Sequence, residues 1–241
     1  MLRIEGLSAW YGEAHVLRDV GLQVAEGEVV TLCGRNGAGK TTLLRCVMGL
    51  HAGQSGTVEL GGRSESVSAK RPAADISRWP AHARARAGLG WVPDDRGAYA
   101  TLSVAEHLAL PPVVGPRPWS LEEIHEAFPN LHERRASPAT RLSGGEQQML
   151  ALARVLRMGA TLLLCDEPTE GLSPLLVRRV GEILRRARDH GVTILLVEQN
   201  LRFATTVADR HYLLAEGRIA GTFDNADVRS REDEFLALLG I

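Results

Sequence analysis

The sequence predicts an α/β protein with a mixed sheet core, an antiparallel β portion at the N-terminal end and an inserted α-helical lobe. Three observations carry that prediction. The first third of the chain alternates short apolar runs with turn signals. Two later runs, Thr161 to Cys165 and Val192 to Val197, are short, continuously apolar and flanked by helix-like segments, as buried parallel strands are. Between about residues 98 and 157 the texture turns helical and is broken by Pro111, Pro112, Pro116 and Pro118, which sets that stretch apart as a lobe.

The opening strands are Leu2 to Ser8 and Val16 to Val24. Glu26-Gly27 then turns the chain into Glu28 to Cys33, and Gly56 to Leu60 follows. Residues 63 to 86 are polar, rich in Arg and Ala, and contain Pro72 and Pro80, so they read mostly as surface loop with room for one helix. Arg210 to Leu214 and Arg218 to Phe223, joined at Glu216-Gly217, read as a late hairpin. A chain of 241 residues that is 44% hydrophobic can bury one substantial core, and residues 1–241 are expected to form a single domain around it.

A formal net charge of -1 supplies no global field to attract nucleic acid or anionic lipid, so no nucleic-acid partner is expected. No apolar run reaches the roughly 18 residues of a spanning helix. Met1 opens directly into a strand-like segment, and the expected location is the cytoplasm. Cys33, Cys46 and Cys165 lack metal-ligand spacing and read as reduced thiols, two of them in apolar stretches. Only Lys40 and Lys70 among the 28 basic residues are lysines, which singles out positions where arginine does not fit.

Lys40 closes the run Gly34-Arg35-Asn36-Gly37-Ala38-Gly39-Lys40-Thr41-Thr42, placed after an apolar strand and before a helix-like run to Gly49. This is a P-loop in its required context. Glycines let backbone N–H groups turn around phosphate oxygens, the helix N-terminus adds a favourable dipole, and the Thr41 hydroxyl can ligate Mg²⁺. Leu162 to Asp166 ends an apolar run with Asp166 and Glu167, which places two carboxylates at the carboxyl edge of a sheet. Beside a P-loop this is a Walker B pattern: Asp166 supports the metal and Glu167 polarises the attacking water. Leu142-Ser143-Gly144-Gly145-Glu146-Gln147-Gln148 opens a further amphipathic run, a second anion-binding turn far along the chain from the first.

In this order, with a helical lobe between them, these motifs resemble an ATP-binding cassette (ABC) ATPase over essentially the whole chain, a P-loop NTPase of ABC type. The resemblance implies a head-to-tail dimer in which Ser143, Gly144 and Gly145 of one subunit close on ATP held by Lys40 of another. It assigns Tyr11 to stacking on adenine. Glu170-Gly171-Leu172-Ser173-Pro174 is similar to the D-loop, with Ser173 where an Asp is common. Gln199 stands where many relatives carry a γ-phosphate-contacting histidine, and Asp94 where most carry a metal-reaching glutamine. A carboxylate at that position keeps its capacity for Mg²⁺.

Tyr11-Gly12, Val92-Pro93 with a following acid and Arg96, Phe128-Pro129-Asn130-Leu131 and Glu198-Gln199-Asn200 resemble the smaller ATPase subunit of branched-chain amino acid importers, whose relatives serve urea or amides. That resemblance implies a second cassette ATPase as partner, a homodimer being the other option, together with transmembrane permease subunits and, indirectly, a solute-binding protein. It implies a position on the inner face of the membrane through the permeases. Two other readings stay open: a cassette ATPase outside transport, and a nucleotide-sensing module with weak hydrolysis. The solute is not legible, because a motor subunit does not touch it.

Overall fold

The structure is a computed structural model and describes residues 1–61, 73–231 and 235. The chain enters as β1 (Leu2–Tyr11), β2 (Ala14–Val24) and β3 (Val29–Cys33), followed by α1 (Lys40–Met48) and β4 (Gln54–Leu60). Next come β5 (Ala74–Asp75), α2 (Ala81–Arg86) and β6 (Leu89–Val92). The predicted lobe region holds α3 (Val104–Ala109), α4 (Leu121–Ala127), α5 (Pro129–Glu133), a 3-10 turn (Ala139–Arg141) and α6 (Gly144–Arg157). β7 (Leu162–Asp166), α7 (Pro174–Asp189), β8 (Thr193–Glu198) and α8 (Leu201–Val207) complete the parallel part. The chain then forms β9 (Arg210–Ala215), β10 (Arg218–Asp224) and α9 (Asn225–Ser230).

The strands form two sheets. β2-β1-β4-β5 is antiparallel throughout, and β10-β9-β3-β8-β7-β6 is mixed, with only the β9–β10 pair antiparallel. The central strands are buried along their whole length and show no polar face, as strands covered on both sides must. Alternation along them divides the core: Leu162, Leu164, Leu195 and Val197 face the antiparallel sheet and α1, while Leu163, Cys165, Ile194 and Leu196 face α6 and α7. α6 packs on β6, so its C-terminal half belongs to the sheet core as well as to the lobe. A third, small cluster joins Cys33 and Leu201 to Val228 and Phe235 near the C-terminus, with Phe235 edge-on to Phe223.

The predicted strands and late hairpin are present; β1 runs past Ser8 to Tyr11. Strand β6 carried no sequence expectation. The 63–86 stretch is only partly describable. Its described part, from residue 73, contributes β5 and α2, and the surface-loop expectation for 63–72 lies outside the described residues.

α2 also buries a charge. Arg84 is 1% exposed, and its guanidinium donates to the carbonyls of Cys46 (2.8 Å), Val47 (2.7 Å), Ser77 (2.8 Å) and Trp79 (2.9 Å). Two of these acceptors lie in the last turn of α1, where helix carbonyls lack intrahelical donors. The three cysteines are free and buried, and burial pushes the Cys33 thiol up to about 11.

Candidate active site

The site is built on the carboxyl ends of β3, β7 and β8, adjacent parallel strands in the sheet. β3 ends at Cys33, and a Cβ on Gly34 would lie 2.4 Å from the Leu214 carbonyl oxygen, so only glycine lets the chain leave the strand there. Gly37 and Gly39 have φ of 80° and 105°, in the left-handed region that glycine adopts freely. α1 then begins at Lys40. Lys40 is 4% exposed. Its ammonium donates to Gly34 O (2.8 Å) and Arg35 O (3.1 Å) and lies 3.2 Å from Glu167 Oε1.

β7 delivers Asp166 and Glu167. Asp166 is fully buried; Oδ1 accepts from the Thr41 hydroxyl at 3.1 Å, whereas Oδ2 is buried with no hydrogen-bond partner. Burial pushes this carboxyl up to about 6; the charges of Asp94 and Glu167 add to the rise, and Thr41 and Lys40 oppose it. An orphaned carboxylate oxygen beside a hydroxyl is a hard-oxygen pair of the kind Mg²⁺ takes when nucleotide phosphates complete its shell. The donor set therefore fits that ion.

Glu167 holds φ at 47°, strained for a non-glycine residue, and its N–H donates to Val197 O at 2.9 Å. Gln199, just past β8, donates from Nε2 to Glu167 Oε2 (2.8 Å) and Asn36 Oδ1 (2.5 Å). One amide thus ties the phosphate loop to the strand-end carboxylate: Lys40, Glu167, Gln199 and Asn36 form one linked set, and Thr41 with Asp166 forms a second pair at the next position of the strand end.

Ser143 caps α6 in a reciprocal capping box: its hydroxyl accepts from Glu146 N (3.3 Å), and its own N–H donates to Glu146 Oε2 (2.8 Å). A Cβ on Gly145 would lie 2.3 Å from Leu176 Cδ1 of α7, and one on Gly144 would lie 2.7 Å from the Arg96 guanidinium. Ser143, Gly144 and Gly145 are thus held by Glu146, by Leu172 and Leu176, and by Arg96.

Tyr11 stands at the β1–β2 turn, 46% exposed, with its ring 4.5 Å from that of His51. Asp94 is exposed on the loop after β6 and accepts the Asp95 N–H at 2.9 Å. Its charge reaches Asp166, as the shift there records.

Sequence reasoning gave Glu198 no role. Glu198 is 2% exposed; Oε1 accepts from Thr169 N (3.2 Å) and Oγ1 (2.6 Å), and Oε2 from Asn200 N (3.3 Å). It joins the turn after β7 to the turn that carries Gln199. Burial pushes its carboxyl up to about 7. Arg154 of α6 went unremarked too: it donates to Gly97 O (2.7 Å) and Arg96 O (3.3 Å) and pins the Asp94 loop to the α6 helix. Neither role has a local pattern, since each depends on partners distant in sequence.

Comparison with known proteins agrees with this geometry. The family model described as ABC transporter matches residues 17–170. The high-affinity branched-chain amino acid transport ATP-binding protein BraG of Pseudomonas aeruginosa is 38% identical over 222 residues, covering 91% of both chains. The lipopolysaccharide export system ATP-binding protein LptB of Escherichia coli K12 is 32% identical over 224 residues, covering 90% of this chain and 88% of its own. The solved structure of an ATP-binding subunit of an ABC transporter superposes with a TM-score of 0.81 at 26% identity over the full length of both chains. By motif, fold and family match, this chain belongs to the ATP-hydrolysing ATP-binding subunits of the ABC transporter family.

Proposed function

We propose that the chain couples Mg-ATP hydrolysis to import of branched-chain amino acids or related small solutes such as urea and amides. The carrying observation is that two linked sets, Lys40 with Glu167 and Gln199, and Thr41 with Asp166, stand at three adjacent strand ends. On ATP binding, Lys40 turns from the Gly34 and Arg35 carbonyls to the β- and γ-phosphates, and the backbone of Gly34, Asn36, Gly37, Ala38, Gly39 and Thr42 wraps the remaining oxygens. Thr41, Asp166 and Asp94 would hold Mg²⁺, which would neutralise developing phosphate charge. Glu167, held by Gln199, aligns a water on the γ-phosphorus. The water oxygen bonds to phosphorus, the bond to the β–γ bridging oxygen breaks, ADP leaves, and the water proton passes to the Glu167 carboxylate. Tyr11 stacks on adenine.

On the family resemblance, Ser143, Gly144 and Gly145 of a second cassette complete this site. The sister cassette of a heterodimer is favoured over a second copy. In the lobe region Tyr99 (58%), Leu110 (52%) and Val113 (57%) are exposed apolar side chains that a permease would cover. Among the described residues no helix is long and apolar enough to cross a membrane. The importer reading puts the chain on the inner face through the permeases, with the solute-binding protein as an indirect partner. Import rests on the likeness to BraG. The LptB relatives support a second reading, export of lipopolysaccharide.

The test is Mg-ATP hydrolysis by the purified chain across a wide concentration range, with Glu167→Gln as control. A rate per enzyme that rises with concentration and vanishes in the control supports a self-assembled composite site. Nucleotide binding without turnover at any concentration, restored by a sister cassette, supports the heterodimer; unrestored, it overturns the motor reading. Co-reconstitution with permeases and a solute-loaded binding protein separates import from export by the direction of labelled solute flux.

A further inference from the structure

The loop that leaves the phosphate-binding helix also touches the aromatic residue assigned to the base. α1 ends at Gly49, whose φ of 71° turns the chain, and residues 50–53 run back toward β4. In that loop the His51 ring lies 4.5 Å from the Tyr11 ring at a tilt of 51°, and its Nε2 is 2.9 Å from the Trp10 carbonyl oxygen. A carbonyl can only accept, so this nitrogen carries the proton. The same loop is bonded to β1 by the backbone: Trp10 N–H donates to Gly53 O at 2.7 Å. A Cβ on Gly53 would lie 2.7 Å from Trp10 O, so glycine permits the close approach. His15 stacks on Trp10 at 4.7 Å and 17°. Tyr11 is therefore anchored at its backbone and met at its ring, yet it stays 46% exposed.

A half-exposed tyrosine at a hairpin turn loses rotamer freedom when a planar ligand stacks on it, and a contact that already restrains the ring reduces that loss. We infer that His51 is a positioning residue for purine recognition: its ring backs Tyr11 in the orientation that receives the base. This rests on the reading of Tyr11 as the adenine platform. His51 follows the helix that starts at Lys40, so one continuous segment carries the phosphate ligands at one end and the brace of the base platform at the other. Its effect is confined to ligands that possess a base.

The experiment is competition against a ribose-labelled fluorescent ATP, with magnesium-loaded ATP and magnesium-loaded inorganic tripolyphosphate as competitors. His51→Ala is expected to weaken ATP by about three- to tenfold, the scale of one aromatic contact, and to leave tripolyphosphate unchanged. His51→Phe keeps a ring and recovers most of the loss, which also shows that the site is folded. Tyr11→Ala weakens ATP at least as much, and adding His51→Ala to it weakens ATP no further. Equal weakening of ATP and tripolyphosphate, unchanged ATP binding in His51→Ala, or full additivity with Tyr11→Ala each overturns the inference. If Tyr11→Ala binds ATP as the wild type does, the adenine-platform reading itself fails; if only the His51 variants behave like wild type, that reading stands and the brace fails.

Discussion

The Lys40 ammonium lies 3.2 Å from Glu167 Oε1, an ion pair whose side chains are 4% and 15% exposed. On the function proposed above, the cation that would meet phosphate is thus paired with the carboxylate that would align water. Lys40→Ala leaves that carboxylate largely buried without its partner. It is expected to abolish ATP binding and to lower stability by about 1–3 kcal/mol, part of which Lys40→Ala combined with Glu167→Ala recovers. Chemical denaturation of both variants checks this. Lys40→Arg is expected not to restore binding, because a planar guanidinium does not fit where a compact ammonium meets two carbonyls.

Gly145 and Leu176 meet where the α6 turn touches α7. An added methyl at residue 145 would stand 2.3 Å from Leu176 Cδ1. Gly145→Ala is expected to reduce hydrolysis by more than tenfold, equivalent to about 1.4 kcal/mol or more, while ATP binding to the chain's own P-loop persists. Leu176→Ala in the same chain makes room and returns a measurable share of the rate. Steady-state hydrolysis of the three variants, under whatever partner conditions the wild type needs, decides the point.

The Glu198 carboxyl sits at about 7 in the fold against an ordinary 4.5, because burial outweighs three donated hydrogen bonds. The folded state therefore binds this proton more tightly than the unfolded chain does. The stability it contributes is fully present below about pH 4.5 and is lost as pH rises through about 7. Thermal melts of Glu198→Gln are expected to fall less than wild-type melts between pH 5 and pH 7.5. Parallel curves would show that Glu198 does not titrate in that window.

Arg84 caps α1 from outside through two of its four carbonyl contacts, those to Cys46 and Val47, and ties it to Ser77 and Trp79 with the others. Arg84→Met keeps much of the volume and removes all four donated bonds, leaving Cys46 O with only the Gly49 N–H, at an expected cost of about 2–4 kcal/mol. Urea denaturation gives the size, and a loss under 1 kcal/mol would mean that the last turn of α1 finds other donors.

The P-loop, the Walker B pair and the Ser143 turn were legible because each demands particular residues at fixed spacing: glycines at positive φ, a lysine, a hydroxyl, acids at a strand end. Strand β6 was not, since Leu89–Val92 is short and its pairing with β7 is set by a partner far along the chain. Arg84 was hidden inside a stretch whose composition reads as surface. What buries it is the end of α1, which no local pattern announces. Glu198 was in view but silent, because its partner Thr169 lies 29 residues away. Residue identity announced the chemistry, while the braces that hold it arise from tertiary contact.

Phe235 lies far along the chain, yet its ring is buried with Cys33, the last residue before the phosphate loop, and with Leu201 just past Gln199 and Asn200. For anyone who builds a fusion or a truncated form, Phe235 is accordingly part of the core beneath the phosphate loop. A cut upstream of Phe235 would open a hollow beneath the strand that launches the P-loop and impair nucleotide handling from a distance. A label or tether is better carried on the exposed β1–β2 side, away from Tyr11, than on a shortened C-terminus.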